Sequence, residues 1–171
     1  MGFFIKDLGI GFGVFKKMDT YGMDPSCTSG SIDLKDNMLV NVGEAYIVVN
    51  LLPEGLDDDG PHHTLKLKIF GGSNNGEIYE FHVNEMMNGQ REIIMGRTPE
   101  CDIKINDKLL SKSQSHIKLE FLDDGSYRWV LHDGYGGKPS TNGTWLYINE
   151  DLLIYDGMIF KANQTIFSVS F

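Results

Sequence analysis

Short segments in which apolar and polar residues alternate fill the chain from Leu65 onward, and Gly, Asn or Asp separates most of them. Leu65, Leu67 and Ile69 alternate with lysines, and Ile117 and Leu119 alternate with polar residues. Such alternation is typical of strands with one buried face, and no stretch keeps a 3.6-residue apolar period over three turns. About nine such segments in about 107 residues is the density of a sandwich. The sequence therefore predicts an all-β fold, an antiparallel β-sandwich.

The segment LLPEGLDDDGPHH combines Pro, Gly and an acidic triplet with few apolar residues. This composition is typical of a linker, which we place at residues 57–63. The complete sandwich then occupies residues 64–171. Residues 1–56 contain further strand-like runs such as NMLVNVGEAYIVVNL, so they are predicted to be a β-rich partial unit rather than a disordered tail.

Charge and cysteine content narrow the class of partner. The 171-residue chain has a net charge of -9, divided into -6 for residues 1–61 and -3 for residues 62–171. An acidic surface disfavours nucleic acid and anionic membranes as partners, and the second part is the better host for an anionic ligand. Cys27 and Cys101 are too far apart in sequence for a disulfide framework or a zinc motif. No signal peptide or membrane span is evident, so we expect an intracellular protein, cytoplasmic or nuclear.

The sequence contains no pattern that supports catalysis. Gly9, Gly11 and Gly13 have the spacing G-x-G-x-G, which differs from the phosphate-cradling G-x-G-x-x-G, and no helical pattern follows them. Neither a nucleophile elbow nor a Ser-His-Asp order is present, and the five histidines lack metal-ligand spacing. We therefore expect a protein that is not an enzyme and that needs neither a cofactor nor a metal.

Three polar residues follow different predicted strands. Arg97 comes after a glycine at the end of one strand, Ser111 lies in a loop 14 residues later, and Asn142 lies in a loop after YRWVLHD. Loops at one end of a sandwich can converge on one ligand. A guanidinium, a hydroxyl and an amide are the groups that a phosphorylated side chain on an extended peptide requires. The pattern favours a phosphopeptide site.

Taken together, Gly96-Arg97, CDIKI, LLSKSQSHI and STNGTWL resemble the forkhead-associated (FHA) domain, and the resemblance covers roughly residues 62–171. It implies that Arg97 and Ser111 bind the phosphate of phosphothreonine and that Asn142 holds the peptide main chain. It also implies further ligand contacts from Lys112 and Thr141. The predicted domains are thus a degenerate FHA-like half-unit over residues 1–56, a linker, and an FHA domain over residues 64–171.

The sequence departs from the family pattern at one position. Three residues after Ser111 the family has a histidine, but this chain has Gln114, whereas counting from His116 would make Ser113 the phosphate ligand. Ser111 is preferred because Leu110 precedes it and a lysine follows it. A glutamine can also make the hydrogen bond that braces the loop. A second departure is the insert GYGGKP, which lengthens the ligand-facing loop.

Residues 3–52 resemble the end of the chain itself. FFIKDLGIGFGVF is similar to WVLHD joined to NGTWL, and MLVNVGEAYIVVNLL is similar to LIYDGMIFKANQTIFSV. In this comparison Phe12 takes the place of Asn142, and the segment has no arginine. The half-unit is therefore expected to bind no phosphate, and to pack on the complete domain, on a second copy as a homodimer, or in a larger assembly.

Two functions follow from the sequence. The first is a phosphothreonine-peptide-binding interaction module used in signalling. The alternative is a structural scaffold subunit whose sandwich docks within an assembly without depending on phosphorylation.

Overall fold

The structure is a computed structural model that describes residues 2–18, 30–53, 64–88 and 92–171. These residues form fifteen β-strands, one α-helix and one turn of 3-10 helix. The elements are β1 Phe4–Ile5, β2 Val14–Lys17, β3 Ser31–Asp33, β4 Leu39–Val42, β5 Ala45–Leu52, β6 Thr64–Phe70, the 3-10 turn Gly72–Asn74, β7 Ile78–His82, α1 Val83–Asn88, β8 Glu92–Gly96, β9 Ile103–Lys104, β10 Ser115–Phe121, β11 Tyr127–Asp133, β12 Trp145–Tyr147, β13 Leu152–Leu153, β14 Ile159–Ala162 and β15 Thr165–Ser168.

The strands form two large sheets and one small one. The eight-stranded sheet has the order β15-β14-β2-β12-β4-β5-β6-β7, and the five-stranded sheet has the order β3-β11-β10-β8-β9. The short strands β1 and β13 pair with each other. Every pair is antiparallel except β8 with β9. This confirms the predicted all-β antiparallel sandwich.

The core lies between the two large sheets. Alternate residues of β5 and β6, such as Ile47 and Leu67, are buried there and belong to one apolar cluster with Ile117, Trp129 and Leu131 of the five-stranded sheet. The alternation in the sequence therefore produces one dry face and one wet face in each of these strands. Burial of these side chains removes apolar surface from water and holds the sheets together.

Strands from residues 1–56 lie in the same sheets as strands from residues 64–171. β2 lies between β12 and β14, β4 pairs with β12, and β5 pairs with β6. Of the three ways of packing expected for the N-terminal segment, the structure has the first, packing on the rest of the chain. The predicted linker at residues 57–63 lies outside the described residues, and the predicted domain boundaries stay a prediction.

Three smaller features complete the description. The helix α1 follows β7 directly and buries Val83 and Met86. Cys101 is buried and unpaired. Among the described residues, no helix is long and apolar enough to cross a membrane.

Candidate functional site

Three loops carry the residues that the sequence singled out. Arg97 begins the loop after β8, Ser111 and Lys112 lie in the loop between β9 and β10, and Thr141 and Asn142 lie in the loop between β11 and β12. These loops are connected by the hydrogen bonds described below. Residues far apart in sequence thus meet at one end of the sandwich.

Gly96 allows the first two loops to approach each other closely. A Cβ atom at this position would lie 2.1 Å from the carbonyl oxygen of Lys112, so only glycine fits. The backbone N–H of Arg97 donates to the Ser111 carbonyl at 3.3 Å. The side chain of Arg97 is exposed, and within the described part of the chain it has no ion pair or hydrogen bond. Its guanidinium is thus available to an anion in solution.

Ser111 contacts the loop that carries Asn142. Its Oγ accepts a hydrogen bond from the backbone N–H of Thr141 at 2.9 Å and donates to Thr141 Oγ1 at 3.2 Å. The hydroxyl proton is therefore directed at another hydroxyl, which is a weaker acceptor than a phosphate oxygen. An anion at this position could take the place of Thr141 Oγ1 as the acceptor.

Asn142 bridges back to the Ser111 loop. Its Nδ2 donates to the carbonyl oxygen of Leu109 at 2.6 Å, and its own carbonyl accepts from Trp145 Nε1 at 3.1 Å. Its Oδ1 has no partner among the residues that the structure describes. This oxygen is an acceptor that a peptide N–H can reach.

Gln114 is fully buried and joins the two loops from below. Its Oε1 accepts from the Ser111 N–H at 3.0 Å, and its Nε2 donates to the Gly143 carbonyl at 2.9 Å. The glutamine thus makes the bracing hydrogen bond predicted from the sequence, and it makes a second one to the other loop. An amide can do both because it carries an acceptor and a donor.

Asp133 anchors the base of the Asn142 loop, a role that was not predicted from the sequence. Its carboxylate accepts from Ser140 N–H at 3.1 Å, from Ser140 Oγ at 2.7 Å and from Thr144 Oγ1 at 2.7 Å. Charge-assisted bonds of this kind are the strongest available to a loop. The sequence shows hydroxyl residues on both sides of the Asn-Gly pair, but it does not identify the carboxylate that accepts their hydrogen bonds.

The charges near the site have both signs. The pKa of Glu100 is held below its ordinary value by a hydrogen bond from its own backbone, by Thr98 and, more weakly, by Lys112. Glu100 is therefore ionised at neutral pH, and its carboxylate lies near enough to Lys112 to feel its charge. The ammonium of Lys112 is exposed, while its carbonyl accepts from Cys101 Sγ at 3.2 Å.

The N-terminal strands contact the loop that carries Ser111 and the loop that carries Asn142. The N–H of Glu44 donates to Asp107 Oδ2 at 3.1 Å, and Asp107 also accepts from the Leu109 N–H at 2.8 Å. A Cβ at Gly143, where φ is +80°, would lie 2.3 Å from the Lys17 side chain. Residues of β2 and of the β4–β5 turn therefore support the loops that carry Ser111 and Asn142.

The structure thus brings together Ser111, Thr141 and Asn142 through side-chain hydrogen bonds and places Arg97 and Lys112 beside them through the backbone. Their roles in binding stay predictions. The hydroxyl of Ser113 makes no hydrogen bond within the described residues. The insert after Asp133 is a tight turn in which Tyr135 and Lys138 pair.

Comparison with known proteins agrees with the fold and the loop cluster, which together define a β-sandwich with a polar site at its loop end. The family model of the FHA domain matches residues 93–161. The resemblance to the FHA domain is therefore confirmed over this stretch, which includes all five predicted site residues. No curated protein and no solved structure matches the chain.

Proposed function

We propose that the protein is an interaction module that binds phosphothreonine-containing peptides at the loops described above. The observation that carries this proposal is that hydrogen bonds join the Ser111 loop to the Asn142 loop, while the exposed Arg97 is bonded through its backbone N–H to Ser111. The FHA domain is in general a phosphothreonine-peptide-binding module, which agrees with these groups.

Each group has a separate part in the binding. The Arg97 guanidinium pairs with two phosphate oxygens in a bidentate manner. The Ser111 hydroxyl turns from Thr141 Oγ1 to a third phosphate oxygen, while the Thr141 N–H keeps the Ser111 oxygen in place. Lys112 adds positive charge at the edge of the site, where it partly offsets Glu100.

Asn142 holds the peptide backbone rather than the phosphate. Its Oδ1 accepts from a peptide N–H, and its Nδ2 either stays on the Leu109 carbonyl or moves to a peptide carbonyl. Main-chain contacts of this kind are independent of the peptide side chains, so affinity depends on the phosphate and selectivity depends on the surrounding loops. The protein is proposed to act by binding alone, without catalysis.

The test is a titration of the full chain with a phosphothreonine peptide library and with its unphosphorylated copy. Fluorescence anisotropy of labelled pools gives both affinities under identical conditions. We expect saturable binding of the phosphorylated pool at least about tenfold tighter than that of the unphosphorylated pool, because the charge-assisted bonds are lost without the phosphate. Equal binding of the two pools would favour the alternative of a scaffold subunit that docks without phosphorylation.

A further inference from the structure

Two hairpins of the eight-stranded sheet have the same backbone geometry. In β4–β5 the Val49 N–H donates to the Met38 carbonyl at 2.9 Å, and in β14–β15 the Val169 N–H donates to the Met158 carbonyl at 2.9 Å. The residue numbers differ by 120 in both cases. The same shift relates their cross-strand pairs, which are Val40↔Ile47 with Phe160↔Phe167 and Val42↔Ala45 with Ala162↔Thr165. The two hairpins are thus structural copies.

Side chains and turns repeat with the same shift. Asp36 Oδ1 accepts from the Leu51 N–H at 3.0 Å, and Asp156 Oδ1 accepts from the Phe171 N–H at 2.9 Å. Residues with positive φ also coincide, in the pairs Asn37 with Gly157 and Gly43 with Asn163. These features do not follow from burial, because the two hairpins lie in different environments.

The strands before the hairpins are arranged reciprocally. β2 and β12 pair with each other, with Lys16 opposite Leu146. On either side of this pair, β12 pairs with β4 and β2 pairs with β14. Likewise β11 pairs with β3, and β1 pairs with β13. The first group, β1–β5, and the second group, β11–β15, are therefore related by a pseudo-twofold axis between Lys16 and Leu146.

The two groups differ at the outer edge of the hairpin. β5 is paired with β6 from Tyr46↔Phe70 to Leu52↔Thr64. In the described part of the chain β15 is the last strand of its sheet. Ile47 is accordingly 2% exposed, whereas its counterpart Phe167 is 42% exposed. The β4–β5 hairpin thus lies inside a closed sandwich, whereas the β14–β15 hairpin lies at an open edge of the sheet.

The outer edge of β15 has backbone groups that can bind another strand. Since Val169 donates to β14, the alternate N–H groups of Ile166 and Ser168 point away from β14. Phe167 and Phe171 alternate with Ser168 and Ser170, as Ile47 and Leu51 alternate with polar or smaller residues opposite β6. Phe171 is 75% exposed and stacks on Phe3, with ring centroids 6.4 Å apart. Exposed aromatic residues on an unpaired edge mark an interaction surface.

We propose that β1, β2 and β13–β15 form an incomplete second sandwich that accepts the first half of another FHA-type sandwich from a partner chain. The leading strand of that partner adds to β15 as β6 adds to β5 in this chain. The partner's leading strand has apolar residues at alternate positions, like Leu65, Leu67 and Ile69 of β6. The interaction is β-strand addition, in which main-chain hydrogen bonds provide affinity and the alternate apolar side chains provide the register.

A second copy of the chain does not meet this need. In its described residues each copy offers one open β15 edge but has a single strand of the β6 type, and that strand is already paired with β5. A second copy could supply its β6 only by opening its own sandwich, which would expose Leu65, Leu67 and Ile69, all at most 1% exposed. We therefore assign the first half to a different chain that brings its own.

The test uses a labelled peptide with the sequence of residues 64–82, which contains β6 and β7, and the full-length chain. We expect saturable binding by fluorescence anisotropy, and a loss of at least about fivefold in affinity for Ser168→Pro, which removes one outward N–H. Ser168→Ala keeps that N–H and is the matched control. A scrambled peptide reports non-specific binding.

Disulfide trapping detects the same pairing when affinity is low. Val48 lies opposite Lys68 in the structure, so the counterpart Ser168 should lie opposite residue 68 of the peptide. A Ser168→Cys chain should therefore cross-link to a Lys68→Cys peptide and much less to a Lys66→Cys peptide, with Ser126→Cys as an exposed control.

Three results would overturn the proposal. The first is the absence of both binding and trapping. The second is binding that Ser168→Pro leaves unchanged. The third is self-association of the full chain that Ser168→Pro abolishes, because the occupant of the edge would then be a second copy.

Discussion

The side-chain amide of Gln114 donates to the carbonyl of Gly143 at 2.9 Å, across 29 residues of sequence. Its other end accepts from the Ser111 N–H, so one buried residue fixes the distance between the loop that carries Ser111 and the loop that carries Asn142. In the FHA pattern a histidine occupies this position. The glutamine keeps the connection, since an amide has both a donor and an acceptor in one plane.

Replacement of Gln114 by alanine should loosen both loops. The change leaves the Ser111 N–H and the Gly143 carbonyl without their partner, and a buried unsatisfied group costs roughly 1–3 kcal/mol. We expect the free energy of unfolding to fall by about 2 kcal/mol or more in urea titrations. Phosphopeptide affinity should also fall at least about threefold. The exposed Gln164→Ala is the control, and equal values for the two variants would contradict the bracing role.

Ser111→Ala and Ser113→Ala should differ in their effect on phosphopeptide affinity. Ser111 Oγ bonds to Thr141, whereas the Ser113 hydroxyl has no hydrogen bond in the part of the chain that the structure describes. A hydrogen bond to a charged group contributes about 1.5–3 kcal/mol, so Ser111→Ala should weaken binding about tenfold or more in calorimetry. Ser113→Ala should change it less than about twofold. The opposite order would assign the phosphate to Ser113.

The equivalent residues Ile47 and Phe167 offer a test of which hairpin closes the sandwich. Ile47 is buried in the core, so Ile47→Ala should reduce the free energy of unfolding by about 2–5 kcal/mol. Phe167 is 42% exposed, and Phe167→Ala should cost less than about 1 kcal/mol. Chemical denaturation of both variants gives the comparison. A larger loss for Phe167→Ala would mean that β14–β15, and not β4–β5, lies beside β6.

Stability should decrease in mildly acidic solution because of His132. Burial lowers the pKa of His132 below its usual 6.5, helped by the nearby charges of His116 and Lys118, while Glu120 and Glu92 oppose the shift. Its Nε2 is buried without a hydrogen-bond partner among the described residues. The unfolded chain therefore binds a proton more readily than the folded one, and stability is lost as the pH falls below about 6.5.

The variant His132→Phe keeps a ring against His116, which stacks on His132 at 4.7 Å. It should lose less stability than the wild type between about pH 7.5 and pH 5.5. Thermal unfolding at a series of pH values measures both slopes. Identical slopes would show that His132 has no part in the pH dependence. A hydrogen bond from Lys118 lowers the pKa of Glu92 below its usual 4.5. The stability that Glu92 contributes is therefore lost only as the pH falls below about 4.5.

Much of the fold could be predicted because its strands alternate apolar and polar residues, a pattern that is visible in the sequence. β6 and β10 alternate buried apolar residues with polar ones, and both form where the pattern places them. α1 could not be predicted, since six residues do not complete two helical turns. The position of β4–β5 beside β6 could not be predicted either, because β14–β15 has the same local pattern and only tertiary packing decides between them.

The candidate site, like the fold, could be predicted from the sequence only in part. The order of Gly96-Arg97, the Ser111 loop and the Asn-Gly-Thr segment predicted which residues to examine, and the family match covers them. The bond from Asn142 to the Leu109 carbonyl joins residues 33 positions apart and involves a backbone atom, which carries no sequence signal. The support from Lys17 and Glu44 was missed for a similar reason. It depends on how the N-terminal strands enter the sheets.

The most direct test of phosphothreonine binding is calorimetry of one phosphothreonine peptide from the library with the wild type, Arg97→Ala and Arg128→Ala. Arg128 pairs with Asp33 and Glu120 on the outside of a sheet, away from the loops, and serves as the matched arginine control. We expect Arg97→Ala to weaken binding at least about tenfold, because a charge-assisted bond contributes roughly 1.5–3 kcal/mol, and Arg128→Ala to bind like the wild type. Equal affinity of Arg97→Ala and the wild type would contradict this expectation.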